Sequence, residues 1–200
     1  MIKIGLTGPT GAGKSTVAAF LATHGFPTLD ADAAAKTVTA LGSPTLTILA
    51  EAFGEDILLV DGSLDRKTLA ARAFADTAAT ARLNAITHPA IIQVMETQAA
   101  ALQAQGVKAV IIDAPLLFEA GIDATCDHTV AVIAPDTVRL QRIMQRDHLT
   151  RDAALLRMNA QPPITFYADR AEVVLQNDGD KQALLQQAAA LCEQIGRWCQ

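Results

Sequence analysis

Apolar residues along the chain gather into short runs, and between the runs they recur every three or four positions. Ile2, Ile4 and Leu6 alternate with Lys3 and Gly5, the period of a short strand. From Lys14 the period changes. Val17, Phe20, Leu21 and His24 stand at i, i+3, i+4 and i+7, one face of a helix, and Gly25 supplies its stop. A second short strand is expected at "FPTLD" (26–30). Near-continuous apolar runs follow at "KAVIIDAP" (108–115), "HTVAVIA" (128–134) and "EVVLQN" (172–177), as expected of strands buried on both faces. Five such strands alternating with helices predict an α/β fold of three layers, a parallel sheet with helices on both sides. Residues 45–106 break the alternation, carrying several helical patterns and little strand signal. Asp65 and Asp76 are placed as N-caps there, and Pro89 suits a first helical position after His88. The economical reading is a helical lobe inserted between the second and third strands. Leu184, Ala188, Leu191 and Ile195 make the apolar stripe of a last helix that packs back on the core.

Composition narrows the picture only slightly. With 200 residues, half of them hydrophobic, the chain can build one sizeable core plus a small lobe. The net charge of -5 gives no global positive field for nucleic acid, so an anionic ligand has to be held by a local cluster. No apolar run approaches a membrane span, and the start of the chain lacks the pattern of a signal peptide. Cys126, Cys192 and Cys199 show no metal-like pairing and are expected as reduced, partly buried thiols of a cytoplasmic protein.

The chemistry begins at "GPTGAGKS" (8–15). Gly8, then four residues, then Gly13-Lys14-Ser15 fits the phosphate-binding loop in full, with a strand before it and a helix after it. In such a loop, backbone N–H groups surround a β-phosphate, and the lysine reaches the β- and γ-phosphates. The serine hydroxyl coordinates magnesium, and the helix start aims its dipole at the same anion. A nucleoside triphosphate with magnesium is therefore expected. The pattern alone does not separate a kinase from an ATPase or a GTPase, but the guanine-reading Asn-Lys-x-Asp sequence is absent.

Three further features bear on the reaction. "LDADAAAK" (29–36) follows the second strand, and ligands of open parallel sheets bind beyond the strand ends. Asp32 is then either a carboxylate that orients an attacking hydroxyl or the N-cap of the helix that follows. Asp113, in "IIDAPLLFE" (111–119), is either a magnesium-holding strand-end aspartate or a turn carboxylate. Arg139, Arg142, Arg146, Arg151, Arg157 and Arg170 concentrate six of the ten arginines in residues 139–170. The first three lie on one helix face. As a set they suggest a mobile segment, about 139–165, that closes over the nucleotide and holds transferring phosphate; individually they could equally be a solvated face.

In order along almost the whole chain, "IGLTGPTGAGKST", "LDADAAAK", "LDRKTLAARAF", "ITHPAI", "DAPLLFEAG", "RLQRIMQRD" and "AQPPITFYADRAEVVLQNDG" resemble the dephospho-CoA kinase family. That resemblance implies a single phosphate-loop kinase domain with an inserted CoA-binding lobe and an arginine lid. It implies transfer of the ATP γ-phosphate to the ribose 3'-hydroxyl of dephospho-CoA, with Mg2+. It makes Asp32, Lys14 and Arg142 the catalytic candidates. Gly8, Gly11, Ala12, Gly13, Lys14, Ser15, Thr16, Arg142 and Arg146 become the ATP contacts. Asp32, His88, Leu116 and Phe118 become the acceptor contacts, and Ser15 and Asp113 the metal contacts. The sequence departs from the family pattern at Pro9, at "AE" (171–172) and at "QPPITF" (161–166). A kinase for another nucleoside or nucleotide, or a non-catalytic nucleotide-binding switch, remain the alternatives.

Overall fold

The computed structural model describes residues 1–200, which divide into two compact units. The first holds Met1–Leu29 and Leu102–Gln200, the second Asp30–Ala101.

The first unit is built on a sheet of five strands, all parallel: β1 (Ile2–Thr7), β2 (Thr28–Asp30), β3 (Ala109–Asp113), β4 (His128–Ile133) and β5 (Val173–Gln176). Their spatial order is β2-β3-β1-β4-β5. β1 is thus central, with Ile4 opposite Ile111 on one side and Leu6 opposite Val130 on the other. This is the α/β sheet expected from the five apolar runs. One face is covered by α1 (Lys14–Thr23) and α9 (Lys181–Trp198). Val17 and Leu21 from α1, and Leu184, Ala188, Leu191 and Ile195 from α9, close on Ile4, Leu6, Ile111, Val130, Val132 and Leu175. The predicted stripe of the last helix is buried throughout. In α1 the buried set is Val17, Ala18 and Leu21, while His24 lies outside and stacks on Phe20. The other face of the sheet carries α8 (Ile164–Ala168), which packs on β4, and a 3-10 turn at Ile122–Thr125 against β1.

Two more helices complete this unit. α6 (Asp136–Asp147) and α7 (Arg151–Asn159) form a hairpin with its own small core of Ile143, Ala154 and Met158. His148 turns the chain between them in the left-handed conformation. Pro162 and Pro163 separate α7 from α8, and Pro163 stands at the N-cap of α8.

The second unit is helical: α2 (Ala31–Val38), α3 (Pro44–Phe53), α4 (Arg66–Ala73) and most of α5 (Thr77–Ala104). Leu49, Phe53, Ile57, Leu69 and Ala73 form its core. Asp65 caps α4 by accepting from the N–H groups of Lys67 and Thr68, and Asp76 accepts from Ala79 N–H at 2.7 Å, both as expected. Ser43 caps α3 with Pro44 in the first turn. Pro89 corrects the expectation. It does not begin a helix but lies inside α5, which runs unbroken past it. A proline there leaves the carbonyl of Ala85 without its helical donor, and Ala85 is exposed to water. Leu83 and Ile86 before the proline pack on the core, and Met95 and Ala99 after it are buried. Burial on both sides of Pro89 holds the helix together where local propensity would end it.

Leu21 is fully buried where α1 meets the sheet. Leu21→Ala should lower the unfolding free energy by about 2–5 kcal/mol, read from urea denaturation, because the fixed β1–α1 geometry leaves a cavity there.

Candidate functional site

The segment from Thr7 to Ser15 leaves the centre of the sheet and turns directly into α1. Gly13 is the N-cap of α1, in the left-handed region at φ 105°. A Cβ at Gly13 would come within 2.2 Å of Asn177 Nδ2, so both the backbone angle and the space demand glycine. The backbone donors of this loop divide into two sets. Thr10 N–H donates to Gln161 Oε1 at 2.8 Å, and Ala12 N–H to Pro9 O at 3.1 Å. Those of Gly11, Gly13, Lys14 and Ser15 have no partner in the protein. Helix starts always leave orphan donors. Here they continue into a loop and share one locality with the Lys14 ammonium, which makes a place for a multiply charged anion.

Lys14 forms an ion pair with Asp113 at the end of β3; both side chains are mostly buried. Ser15 is exposed in the first turn of α1. The loop, Lys14, Ser15 and Asp113 therefore come together at the ends of neighbouring strands β1 and β3, where a doubly wound sheet binds its ligands. Beyond Asp113, Ala114 N–H donates to Leu6 O at 3.1 Å, and Leu117 is fully buried. Leu116 is exposed, and Phe118 packs edge-on to Phe166 at 6.2 Å. Tyr167, fully buried, donates to Glu119 Oε1 at 3.2 Å. Burial pushes its phenol well above the ordinary range, so it stays a donor.

The arginines do not share one fate. Arg139 is 2 % exposed and donates from Nε to Thr10 O at 2.9 Å and from Nη1 to Asp136 Oδ1 at 3.0 Å. That corrects the reading of this arginine as part of a solvated face. Its neighbours on α6 place it under the loop because Ile143, one turn on, anchors the same helix face. Arg142 donates to Gly11 O at 3.4 Å and to Asn177 Oδ1 at 3.1 Å. Arg146 and Arg157 converge on Asp147, and chiefly the Arg146 guanidinium holds that carboxyl below the usual carboxylate range. Arg146 also lies 3.5 Å from the Thr10 hydroxyl. Arg151 is exposed at the start of α7, and Arg170 covers the Phe166 ring at 4.0 Å.

Asn177 and Gln161 were not singled out from the sequence. The signal for the first was a pair of amides, Gln176 and Asn177, closing an apolar strand in "VVLQND". It is 5 % exposed and donates to Ala12 O at 2.7 Å. Gln161 carried no signal of its own.

In the second unit, Asp32 and His88 were the expected site residues. Asp32 is not the cap of α2. Asp30 is, accepting from the N–H groups of Asp32 and Ala33 at 2.8 and 3.1 Å. The helix starts two residues earlier than a cap at Asp32 requires, so Asp32 falls in its first turn with an exposed carboxylate. His88 is half-buried on α5, and burial pushes its imidazole below the usual histidine range, favouring the neutral form. Thr39, Arg66, Leu69, Phe74, Leu83 and Ile91 line an apolar cavity of about 240 Å3, with Arg66 donating to Thr39 Oγ1 at 3.2 Å.

The profile of the dephospho-CoA kinase family matches residues 2–183. The chain belongs to that family. A dephospho-CoA kinase from Anaeromyxobacter dehalogenans is 46 % identical over 188 residues, 94 % of this chain and 89 % of the relative. A solved structure from Thermus thermophilus is 37 % identical, covers 96 % of this chain and 97 % of its own, and superposes with a TM-score of 0.81. The dephospho-CoA kinase from Campylobacter jejuni is 25 % identical with a TM-score of 0.72, covering 99 % and 98 %. Family membership makes the chain an ATP-dependent kinase.

The capping assignment has a direct check. Asp30→Ala should cost about 1 kcal/mol of stability and Asp32→Ala markedly less, measured side by side by thermal or urea unfolding.

Proposed function

We propose that the chain transfers the γ-phosphate of ATP to the ribose 3'-hydroxyl of dephospho-CoA, giving CoA. The observation that carries this reading is the set of four unpartnered loop N–H groups beside Lys14, in a chain similar to dephospho-CoA kinases over nearly its whole length.

The loop residues Gly8, Gly11, Ala12, Gly13, Lys14, Ser15 and Thr16 take the ATP phosphates. Lys14 exchanges its pairing with Asp113 for the β- and γ-phosphates, so its charge meets the anion as the anion arrives. The donors left to a metal by that exchange are the Ser15 hydroxyl and the Asp113 carboxylate, both hard oxygens. The chain offers no cluster of three His, Cys, Asp or Glu side chains that could hold a metal. That set fits Mg2+, which keeps water and phosphate ligands and needs few from the protein. When bound, the ion neutralises charge on the phosphates. Arg146, exposed at the end of α6, supplies a guanidinium to the nucleotide. Arg142 reaches it only by releasing Gly11 and Asn177.

On the acceptor side, Asp32 accepts the proton of the attacking 3'-hydroxyl. Its carboxylate is free of capping duty, which supports that role. Neutral His88, together with Leu116 and Phe118, contacts the acceptor. The apolar cavity beside Arg66 suits its pantetheine arm. The hairpin of α6 and α7 serves as the lid, and the second unit as the CoA lobe. A cytoplasmic setting goes with three free thiols.

Mass spectrometry and phosphorus NMR of the product from MgATP and dephospho-CoA should show one phosphate added at the ribose 3'-oxygen. Adenosine should be phosphorylated far more slowly even at saturation, because the arm's binding energy positions the hydroxyl. Equal turnover on adenosine would favour a nucleoside kinase. Absence of any phosphorylated acceptor would leave a nucleotide-binding switch.

The two catalytic side chains separate by substitution. Lys14→Ala should lower turnover by orders of magnitude with the fold retained. Asp32→Asn should do the same with unchanged thermal stability, since the cap at Asp30 is untouched. An active Asp32→Asn variant would remove Asp32 as the base.

A further inference from the structure

Three consecutive carbonyls of the phosphate loop are each held by a side chain from the C-terminal half of the chain. Thr10 O accepts from Arg139 Nε at 2.9 Å, Gly11 O from Arg142 Nη1 at 3.4 Å, and Ala12 O from Asn177 Nδ2 at 2.7 Å. The three donors are also joined to one another or to the backbone. Arg142 Nη2 donates to Asn177 Oδ1 at 3.1 Å, and Asn177 N–H to Ile133 O at 2.8 Å. We propose that Arg139 and Asn177 form a brace behind the loop, positioning residues that set its donors for phosphate without touching it, with Arg142 tied to both the loop and Asn177 until the nucleotide draws it away.

The reason lies in the peptide plane. In a trans peptide the C=O and the following N–H point in opposite directions. Fixing Thr10 O and Ala12 O on one side therefore turns the N–H groups of Gly11 and Gly13 to the other. Those are two of the four loop donors named above with no partner in the protein. A glycine-rich loop is otherwise free to rotate these peptides, and each rotation would withdraw a donor and present a carbonyl to the anion. The brace removes that freedom before the nucleotide arrives, so the ordering cost is met during folding.

Arg139 shows that the arrangement is not there for stability. Its side chain is almost completely buried, and its Nη2 has no hydrogen-bond partner. Burial pushes its pKa down, against the pairing with Asp136. Asp136, its one ion-pair partner, is largely exposed. A buried guanidinium with an unmet donor is costly, and an apolar side chain of similar length would cost less. What Arg139 uniquely supplies is the hold on Thr10 O.

The proposal rests on the loop binding the nucleotide's phosphates, and the experiment separates the two. Binding of MgADP is measured by calorimetry for the parent chain, Lys14→Ala, Arg139→Met and Asn177→Asp, with thermal unfolding of each. Asn177→Asp keeps the acceptor for Arg142 but cannot donate to Ala12 O. Arg139→Met keeps length and removes the donor. Both should weaken MgADP by about tenfold to a hundredfold, with dephospho-CoA binding unchanged. Arg139→Met should unfold at the same temperature as the parent or higher. MgADP affinity equal to the parent's in both brace variants, while Lys14→Ala loses it, would overturn the brace and leave the loop reading intact. A parent that does not bind MgADP would overturn the loop reading and the brace with it. Weaker MgADP binding that only tracks a lower melting temperature would also overturn it, by making these residues structural.

Discussion

A phosphate loop works only if its own backbone donors stay unpaired, and a folded protein tolerates few unpaired donors. That conflict organises the first unit. The Gly11, Gly13, Lys14 and Ser15 N–H groups must face a gap that an anion will fill, while the rest of the loop is tied down. β1 supplies the fixed origin, paired on both sides and buried over its last four residues. α1 supplies the fixed exit, locked to α9 and the sheet through Val17 and Leu21. Between them the loop packs only small side chains, with Ala12 in the core and Pro9 buried. Its conformation comes from outside, through Arg139, Arg142, Gln161 and Asn177.

The sheet order carries this further. With β1 central, β3 and β4 flank the loop, and each delivers its succeeding segment to the same end of the sheet. β3 ends in Asp113, opposite Leu6 in the register, and the Asp113 carboxylate keeps the Lys14 ammonium paired. After β4 comes α6 with Arg139 and Arg142. After β5 comes Asn177. Parallel strands thus deliver four side chains from distant parts of the chain to one nine-residue segment. An antiparallel arrangement would send half of them to the opposite end.

How much of this is legible in the sequence depends on range. Periodicity is local, so β1, α1, the buried strands and the stripe of α9 could be read from residues a turn or two apart. The loop motif was legible because its chemistry is contiguous. The partners of the loop were not, since Asn177 meets a carbonyl 165 residues earlier and Arg139 one 129 residues earlier. A run of arginines in sequence looks like one feature, yet α6 directs Arg139 inward and leaves Arg146 outward. The cap of α2 went to Asp30 rather than Asp32 because two nearby aspartates offer the same chemistry, and only the end of β2 decides between them. Pro89 was misplaced for the reverse reason: a strong local rule was overridden by burial of α5 on both sides of it.

The cap at Asp30 also bears on the chemistry. One carboxylate that both capped a helix and took a proton would face opposing demands. Two backbone N–H groups occupy one of its oxygens and fix its direction along the helix axis. In the function proposed above, capping by Asp30 leaves the Asp32 carboxylate free of that task. Asp30 keeps the helix start in place with its two bonds, and Asp32 rides on that rigid first turn with its carboxylate uncommitted. In that proposal the short acidic segment "DAD" supplies an anchor at Asp30, a spacer buried into the unit at Ala31, and the proposed base one step further along the chain.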